Sequence, residues 1–194
     1  MKKYYIIAIY IFIFASVTFS QAKKVDRPQC RYNFIQLTVG AGFIQPVSYM
    51  YDLYNPSGNV GLEVAYRVNP EVAVFMESRL NFMRPQDTTA PSTKYVEITV
   101  GPRFYFVSKN VRSTFFFETA AGPYIKLVDS YITKTGESVP SLSDTKIGAN
   151  IGIGGDLAFS DNIYFTVKAK YHTIFGVGGT ITYFSGCGNM TFRF

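Results

Sequence analysis

The chain has no tryptophan, one histidine and two cysteines among 194 residues, and each scarcity removes a class of answer. Cys30 and Cys187 are too few for a disulfide scaffold, and a single histidine, His172, leaves no Cys/His spacing for a zinc site. Neither a calcium loop nor a phosphate loop is present. The glycine-rich stretch from Gly148 to Gly155 lacks the following helix pattern that a phosphate site requires. Charged residues make up only 16% of the chain, and the excess of 19 Lys and Arg over 13 Asp and Glu is not clustered, so no nucleic-acid partner is expected. No metal and no cofactor is expected either. Beyond the N-terminal segment, no apolar run is long enough for a membrane helix.

What is present begins at the N-terminus. Lys2 and Lys3 precede an apolar run from Tyr4 to Phe19, followed by Ser20-Gln21-Ala22. This is the pattern of a signal peptide cleaved after Ala22. The expected organisation is therefore a signal peptide at 1–22, a periplasmic lead-in at 23–32 and one domain at 33–194. Removing the first segment leaves 194 − 22 = 172 residues and, with two lysines gone, lowers the formal charge from +6 to +4.

Phe 18, Tyr 15 and Gly 16 favour strands and turns. From residue 33 onward, apolar and small or polar residues alternate with the period of a strand. Ile35, Leu37, Val39, Ala41 and Phe43 share one face; Gln36, Thr38, Gly40 and Gly42 share the other. Val60, Leu62, Val64, Tyr66 and Val68 repeat the pattern. Six further segments follow, near 72–83, 94–107, 114–128, 145–159, 163–172 and 181–194. The connections run 44–58, 69–71, 84–93, 108–113, 129–144, 160–162 and 173–180, so long alternates with short. Asn69-Pro70-Glu71 and Ser160-Asp161-Asn162 are tight-turn sequences. The expected fold is an all-β, eight-stranded antiparallel up-and-down transmembrane β-barrel, with short turns on the periplasmic side and long loops outside.

The two faces separate a membrane barrel from a soluble one. The polar face is rich in glycine (40, 42, 61, 101, 122, 148, 152 and 154), which makes room inside a narrow barrel. The apolar face carries Phe104, Phe106, Phe115, Phe117, Phe159 and Phe165 near strand ends, as in an interfacial aromatic girdle. Exposed to water, that band would be an aggregation hazard.

The chain ends Gly188-Asn189-Met190-Thr191-Phe192-Arg193-Phe194, a strand closing on Phe with aromatics two apart. It resembles the signal by which outer-membrane barrels are recognised for assembly. The stretch Gly154 to Phe165, running on to Lys170-Tyr171-His172, resembles the last hairpin of the outer-membrane β-barrel domain family that includes the small OmpA/OmpX-type barrels. The resemblance covers residues 33–194 in organisation and implies location in the cell outer membrane. It also implies lipid contacts and recognition of Phe194 by the assembly machinery. No peptidoglycan-binding module is expected after Phe194.

The inward parity collects Glu63, Arg67, Glu77, Arg79, Glu97, Arg103, Glu118, Lys126, Asp156, Lys168, Lys170 and Arg193. Glu63, Glu77, Arg79, Glu97, Arg103, Glu118 and Lys168 are the expected interior charge network. Counted from the strand ends, Arg103 falls between Glu77 and Glu118 and could bridge them. Such a set could line an ion path or pair carboxylates for acid and base work. Mixed signs fit better a plug of salt bridges, since an eight-stranded interior is just wide enough for side chains and buried charges need partners. His172 falls near the outer rim, where lipid-modifying barrels resembling the lipid A deacylase and palmitoyltransferase families use a His with a Ser. Thr173-Ile174 follows it instead of that serine, and a bond to a loop is the plainer role. Tyr49, Tyr51, Tyr54, Asn55 and Pro56 give the first loop the look of a recognition surface, with an aromatic rim as the alternative.

The resulting expectation is a structural or surface-interaction barrel with a charge-plugged interior and no catalytic activity, whose loops at 44–58 and 129–144 meet an unknown surface ligand. The alternatives are an outer-leaflet lipid-modifying enzyme using His172, and a narrow channel for small solutes. Cys30 and Cys187 are not expected to pair. At about 3.3 Å per residue, Cys187 lies on the order of 20 Å above the periplasmic rim, whereas a disulfide needs Cα atoms within about 7 Å.

Overall fold

The computed structural model describes residues 34–87, 90–106, 113–132, 137–176 and 179–194. The expected signal peptide, the lead-in and Cys30 lie outside the described residues. Eight long strands form the barrel: β1 Phe34–Pro46, β2 Ser57–Arg67, β3 Val72–Pro85, β4 Thr93–Phe106, β5 Ser113–Val128, β6 Leu142–Ala158, β7 Ile163–Gly176 and β8 Gly179–Arg193. Each pairs antiparallel with the next. β8 returns to β1, from Gln36 opposite Arg193 to Pro46 opposite Tyr183, so the sheet closes and leaves no long edge.

Alternation holds along every strand because the side-chain period is two. Even residues of β1, such as Gln36, Thr38 and Ile44, are buried inside, while Ile35, Val39 and Phe43 are exposed outside. On β3 the inward set is Ala73, Phe75, Glu77, Arg79, Asn81 and Met83, all buried. The exterior is a continuous apolar surface. Near the inner rim it carries Phe104, Phe106, Phe115, Phe159, Phe165 and Phe194; near the outer rim, Phe43, Phe82, Phe175 and Phe184. A surface of this kind is built for hydrocarbon, with aromatics where the two interfaces fall.

Asn69 closes the turn between β2 and β3, its Oδ1 accepting from the Glu71 and Val72 amides at 2.8 and 2.7 Å. Ser160 does the same between β6 and β7, where its hydroxyl accepts from the Ile163 amide at 3.2 Å. Both turns lie at the inner end, with Phe34 and the C-terminus. Between β4 and β5 the ladder is interrupted around Pro102 and Pro123, which have no N–H to give. There Gly101 and Gly122 lie directly against the backbone oxygens of Thr119 and Ile98, an approach that a Cβ would block.

At the outer end the strands run further than their patterns indicate. β7 and β8 continue to Gly176 and Gly179, so the outer connection expected at 173–180 shrinks to residues 177–178. The reason is that Thr173 to Phe175 and Thr180 to Thr182 are β-branched or aromatic residues that pair with one another. The first connection is also structured. A 3-10 turn at Ser48–Asp52 leads to a two-residue strand, Tyr54–Asn55, which pairs with Pro85 and Arg84 at the tip of β3. Between β5 and β6, Tyr131–Ile132 pairs with Ser138–Val139.

Candidate functional site

The interior is layered. At the inner rim, the Arg67 guanidinium lies 3.8 Å from the Tyr105 ring centroid, and the Arg193 guanidinium lies 3.4 Å from that of Tyr164 while donating to Asp156 at 3.1 Å. Arginine stacks on aromatic faces without giving up its polar edge, which makes it a seal both flat and charged. Tyr105 donates to Gln36 at 3.0 Å and packs edge-on against Phe116.

Above this lies the charged layer. Arg103 reaches Glu118 at 2.5 Å and Glu63 at 2.7 Å, its guanidinium held between the Phe75 and Phe116 rings. Lys168 pairs with Glu63 and approaches Glu77 at 3.8 Å. Lys170 pairs with Glu77 and, at 2.7 Å, with Glu118. Arg79 donates to Glu77 at 2.7 Å and to Asn59 at 2.8 Å. Glu63, Glu77, Glu97 and Glu118 are thus balanced by Arg79, Arg103, Lys168 and Lys170, and all eight are buried. Glycines on neighbouring strands give this layer its room: Arg79 lies over Gly61 and Lys170 over Gly152.

Arg103 bridges Glu118 to Glu63 rather than to Glu77. The stagger of tilted strands is the cause. Arg103 is opposite Ala73, four residues from Glu77 along β3, while Glu63 and Glu77 face each other across β2 and β3. Equal counts from strand ends are not equal heights in a sheared barrel.

Glu97 differs from the other three. Among the described residues, no Lys or Arg nitrogen lies within salt-bridge distance of it. It accepts instead from Asn150 at 2.9 Å, Tyr124 at 3.2 Å, Thr99 at 3.3 Å and Asn81 at 3.4 Å. His172 Nδ1 is 3.5 Å from Glu97 and 3.2 Å from the Tyr124 hydroxyl, and its Nε2 is 2.9 Å from Ser185 Oγ. The Tyr183 ring stacks on the imidazole at 4.4 Å.

The strand pattern places His172 at the rim, bonded to a loop. It lies deeper, wholly buried and bonded to β5 and β8, because β7 continues four residues beyond it. Sequence reasoning missed Ser185, Tyr124, Asn150 and Asn59 as its partners and those of the charges. All four have inward parity, which was the available signal; which of them meet depends on register. Ser185, His172 and Glu97 have the connectivity of a nucleophile, base and acid. Ser185 is 2% exposed, however, and His172 and Glu97 are fully buried. Of the other inward charges, Lys126 stands half-buried at the outer mouth. Cys187 is a free, buried thiol facing Asn59.

Over the charged layer sits an apolar plug of Ile44, Met83, Tyr95, Tyr124, Ile174 and Tyr183, with Tyr54 and Ile181 against it. The first loop covers the plug as a lid. Met50 is its buried anchor, the Gln86 amide donates to Leu53 O at 2.9 Å, and Gln86 Nε2 donates to Tyr51 O at 2.5 Å. Tyr51 and Leu53 point out, 59% and 40% exposed.

No protein-family model and no curated protein matches this chain. Among solved structures it is similar to Neisserial surface protein A, at 13% identity and TM-score 0.64, over 82% of this chain and 97% of that one. It is also similar to OprG of Pseudomonas aeruginosa, at 10% identity and TM-score 0.58 over 87% and 99% of the two chains. Ail, the attachment invasion locus protein of Yersinia pestis, matches at 15% identity and TM-score 0.55 over 84% and 100%. The fold is that of the small eight-stranded outer-membrane barrels.

Proposed function

We propose that this chain, an outer-membrane β-barrel by fold and by its lipid-facing exterior, displays an adhesive surface on its outer loops and neither conducts solutes nor catalyses a reaction. One contrast carries the reading. Halfway through the barrel Glu77, Glu97, Glu118, Lys170 and His172 show no solvent exposure, whereas the lid above them holds Tyr51 and Leu53 in the open. A lumen wide enough for water would wet those charges. Their mutual pairing fills the space instead, and the rigid tyrosine on an ordered platform is the kind of group that anchors interfaces. Ail, of the same fold, is named for attachment and invasion. Bilayer lipids and, through the exposed Phe194 at the inner rim, the barrel-assembly machinery are the other proposed partners.

The test uses proteoliposomes on an array of matrix proteins and glycans. The Tyr51→Ala, Leu53→Ala double variant should lose binding by at least tenfold while keeping the heat-dependent gel shift of a folded barrel. Large, stable single-channel steps in a planar bilayer would overturn the sealed interior. Because Ser185, His172 and Glu97 are aligned, a catalytic reading has its own check. Covalent capture of a fluorophosphonate by wild-type protein, lost in Ser185→Ala, would replace the adhesive reading.

A further inference from the structure

Ser185, His172, Tyr124 and Glu97 form one continuous hydrogen-bond chain from β8 through β7 and β5 to β4, with contacts of 2.9, 3.2 and 3.2 Å. Its direction is fixed by its last member. A hydroxyl has one proton, so while Glu97 is a carboxylate the Tyr124 O–H points to it and the Tyr124 oxygen accepts from His172 Nδ1–H. His172 Nε2 is then bare and accepts from Ser185 O–H. A proton on Glu97 reverses every link: the carboxyl O–H donates to Tyr124, Tyr124 donates to Nδ1, and Nε2–H donates to Ser185.

We infer that Glu97 is a proton-binding site whose loading inverts this relay and loosens the lid that presents Tyr51 and Leu53, so that surface display depends on external pH. The inference concerns regulation of the surface proposed above and rests on that reading for its biological meaning. Three observations point to Glu97 as the site. It is the one carboxylate of the charged layer without a Lys or Arg partner among the described residues, while Glu63, Glu77 and Glu118 share four cations. It is ringed by neutral donors, all four of which a carboxylate accommodates and a carboxylic acid does not. And the two residues that register its state, Tyr124 and Tyr183, are themselves part of the plug on which the lid rests.

The surrounding charges restrict where the proton goes. From β3, Glu77 and Arg79 face the relay; from β7, Lys168 and Lys170 lie below His172; from β5 and β2 come Glu118 and Glu63, and from β4 the Arg103 that bridges them. β8 adds Tyr183 and Cys187, and at this level β6 adds the neutral Asn150, its Asp156 lying lower against Arg193. With Glu97 ionised and His172 neutral, these charges sum to zero across the layer. The sign follows: the ordered relay and closed lid belong to high pH, and both are lost as pH falls through the protonation of Glu97.

The experiment is NMR of selectively labelled histidine in lipid nanodiscs, with amide exchange at Gln86, whose N–H holds the lid, followed in the same samples between pH 8 and pH 5. Wild type should pass from the Nδ1–H to the Nε2–H tautomer, and exchange at Gln86, corrected for its intrinsic pH dependence, should rise at least tenfold. Glu97→Gln, which carries a permanent donor, should show the Nε2–H tautomer and fast exchange at both pH values. A wild-type tautomer that does not change, an imidazolium in place of a tautomer switch, or a switch that survives in Glu97→Gln each overturns the proposal. So does a tautomer switch with unchanged exchange at Gln86. The wild-type titration stands alone if the variant does not fold, and none of these readouts needs a binding partner. Failure of the array assay with an intact tautomer switch would therefore count against the adhesive reading alone.

Discussion

The charged layer holds four carboxyl groups and four Lys or Arg side chains and the plug directly above it holds neither, yet both are sealed from solvent inside the same barrel. They fill space by different rules. The plug is held by area and shape, so its loss on truncation scales with the atoms removed. The charged layer is held by partner counting. Seven of its eight groups are tolerable because an opposite group stands within about 3 Å, while Glu97 relies on four neutral donors, and removing a partner leaves a group buried without compensation. Aromatics join the two regimes, since Phe75 and Phe116 face the guanidinium of Arg103, and Tyr124 and Tyr183 belong to the plug by their rings and to the polar chain by their edges.

If that contrast holds, the largest single effect comes from deleting a shared carboxylate. Glu118→Ala removes one of the two carboxylate partners of Arg103 and one of the two of Lys170, and should cost about 3–5 kcal/mol. Urea titration in lipid vesicles, followed by the gel shift, reads it out. A loss under about 1 kcal/mol would mean that water enters the layer and that the barrel is not plugged.

Tyr124→Phe tests the boundary between the two regimes. The ring stays and the plug keeps its volume, but Glu97 and His172 lose a partner and Asn150 a neighbour at 3.3 Å. About 1–3 kcal/mol is expected from the groups left unsatisfied. Entirely within the plug, Ile44→Val should cost less, about 0.5–1.5 kcal/mol for one buried methylene. If the order of these two is reversed in the same titration, the relay contributes less than packing does.

What could be read in advance followed from local rules. Period-two alternation, tight turns at Asn69 and Ser160 and eight segments were enough for the barrel, because register in a sheet with one apolar face is strongly specified. Parity placed Glu63, Glu77, Arg79, Glu97, Arg103, Glu118 and Lys168 inside, where the structure puts them. Who meets whom was not legible. Arg103 turns to Glu63, forty residues away in sequence, because of inter-strand stagger and the reach of a long side chain across the lumen. His172 is peripheral only if Thr173, Ile174 and Phe175 form a loop, and their β-branched and aromatic character suits a strand instead. The lid escaped for another reason: it is short irregular backbone whose order comes from bonds to Gln86 on a different loop.

The smallest effect should come from the same chemistry placed in water. Lys94 and Asp129 form an ion pair at 3.0 Å on the outer rim, within hydrogen-bond reach like the direct pairs of the charged layer, but their side chains are 35% and 52% exposed. Both charges keep most of their hydration, so little desolvation has been spent and little Coulomb energy gained; mobile ions screen what remains. Lys94→Ala should therefore change stability by about 0–1 kcal/mol, and that small change should shrink further between low salt and 1 M salt. The loss in Glu118→Ala should stay the same over that range, because no ion reaches Arg103 to replace the carboxylate. Equal salt dependence in the two variants would show that the interior charges are in contact with bulk solvent, and the division between a sealed layer and an open rim would fail.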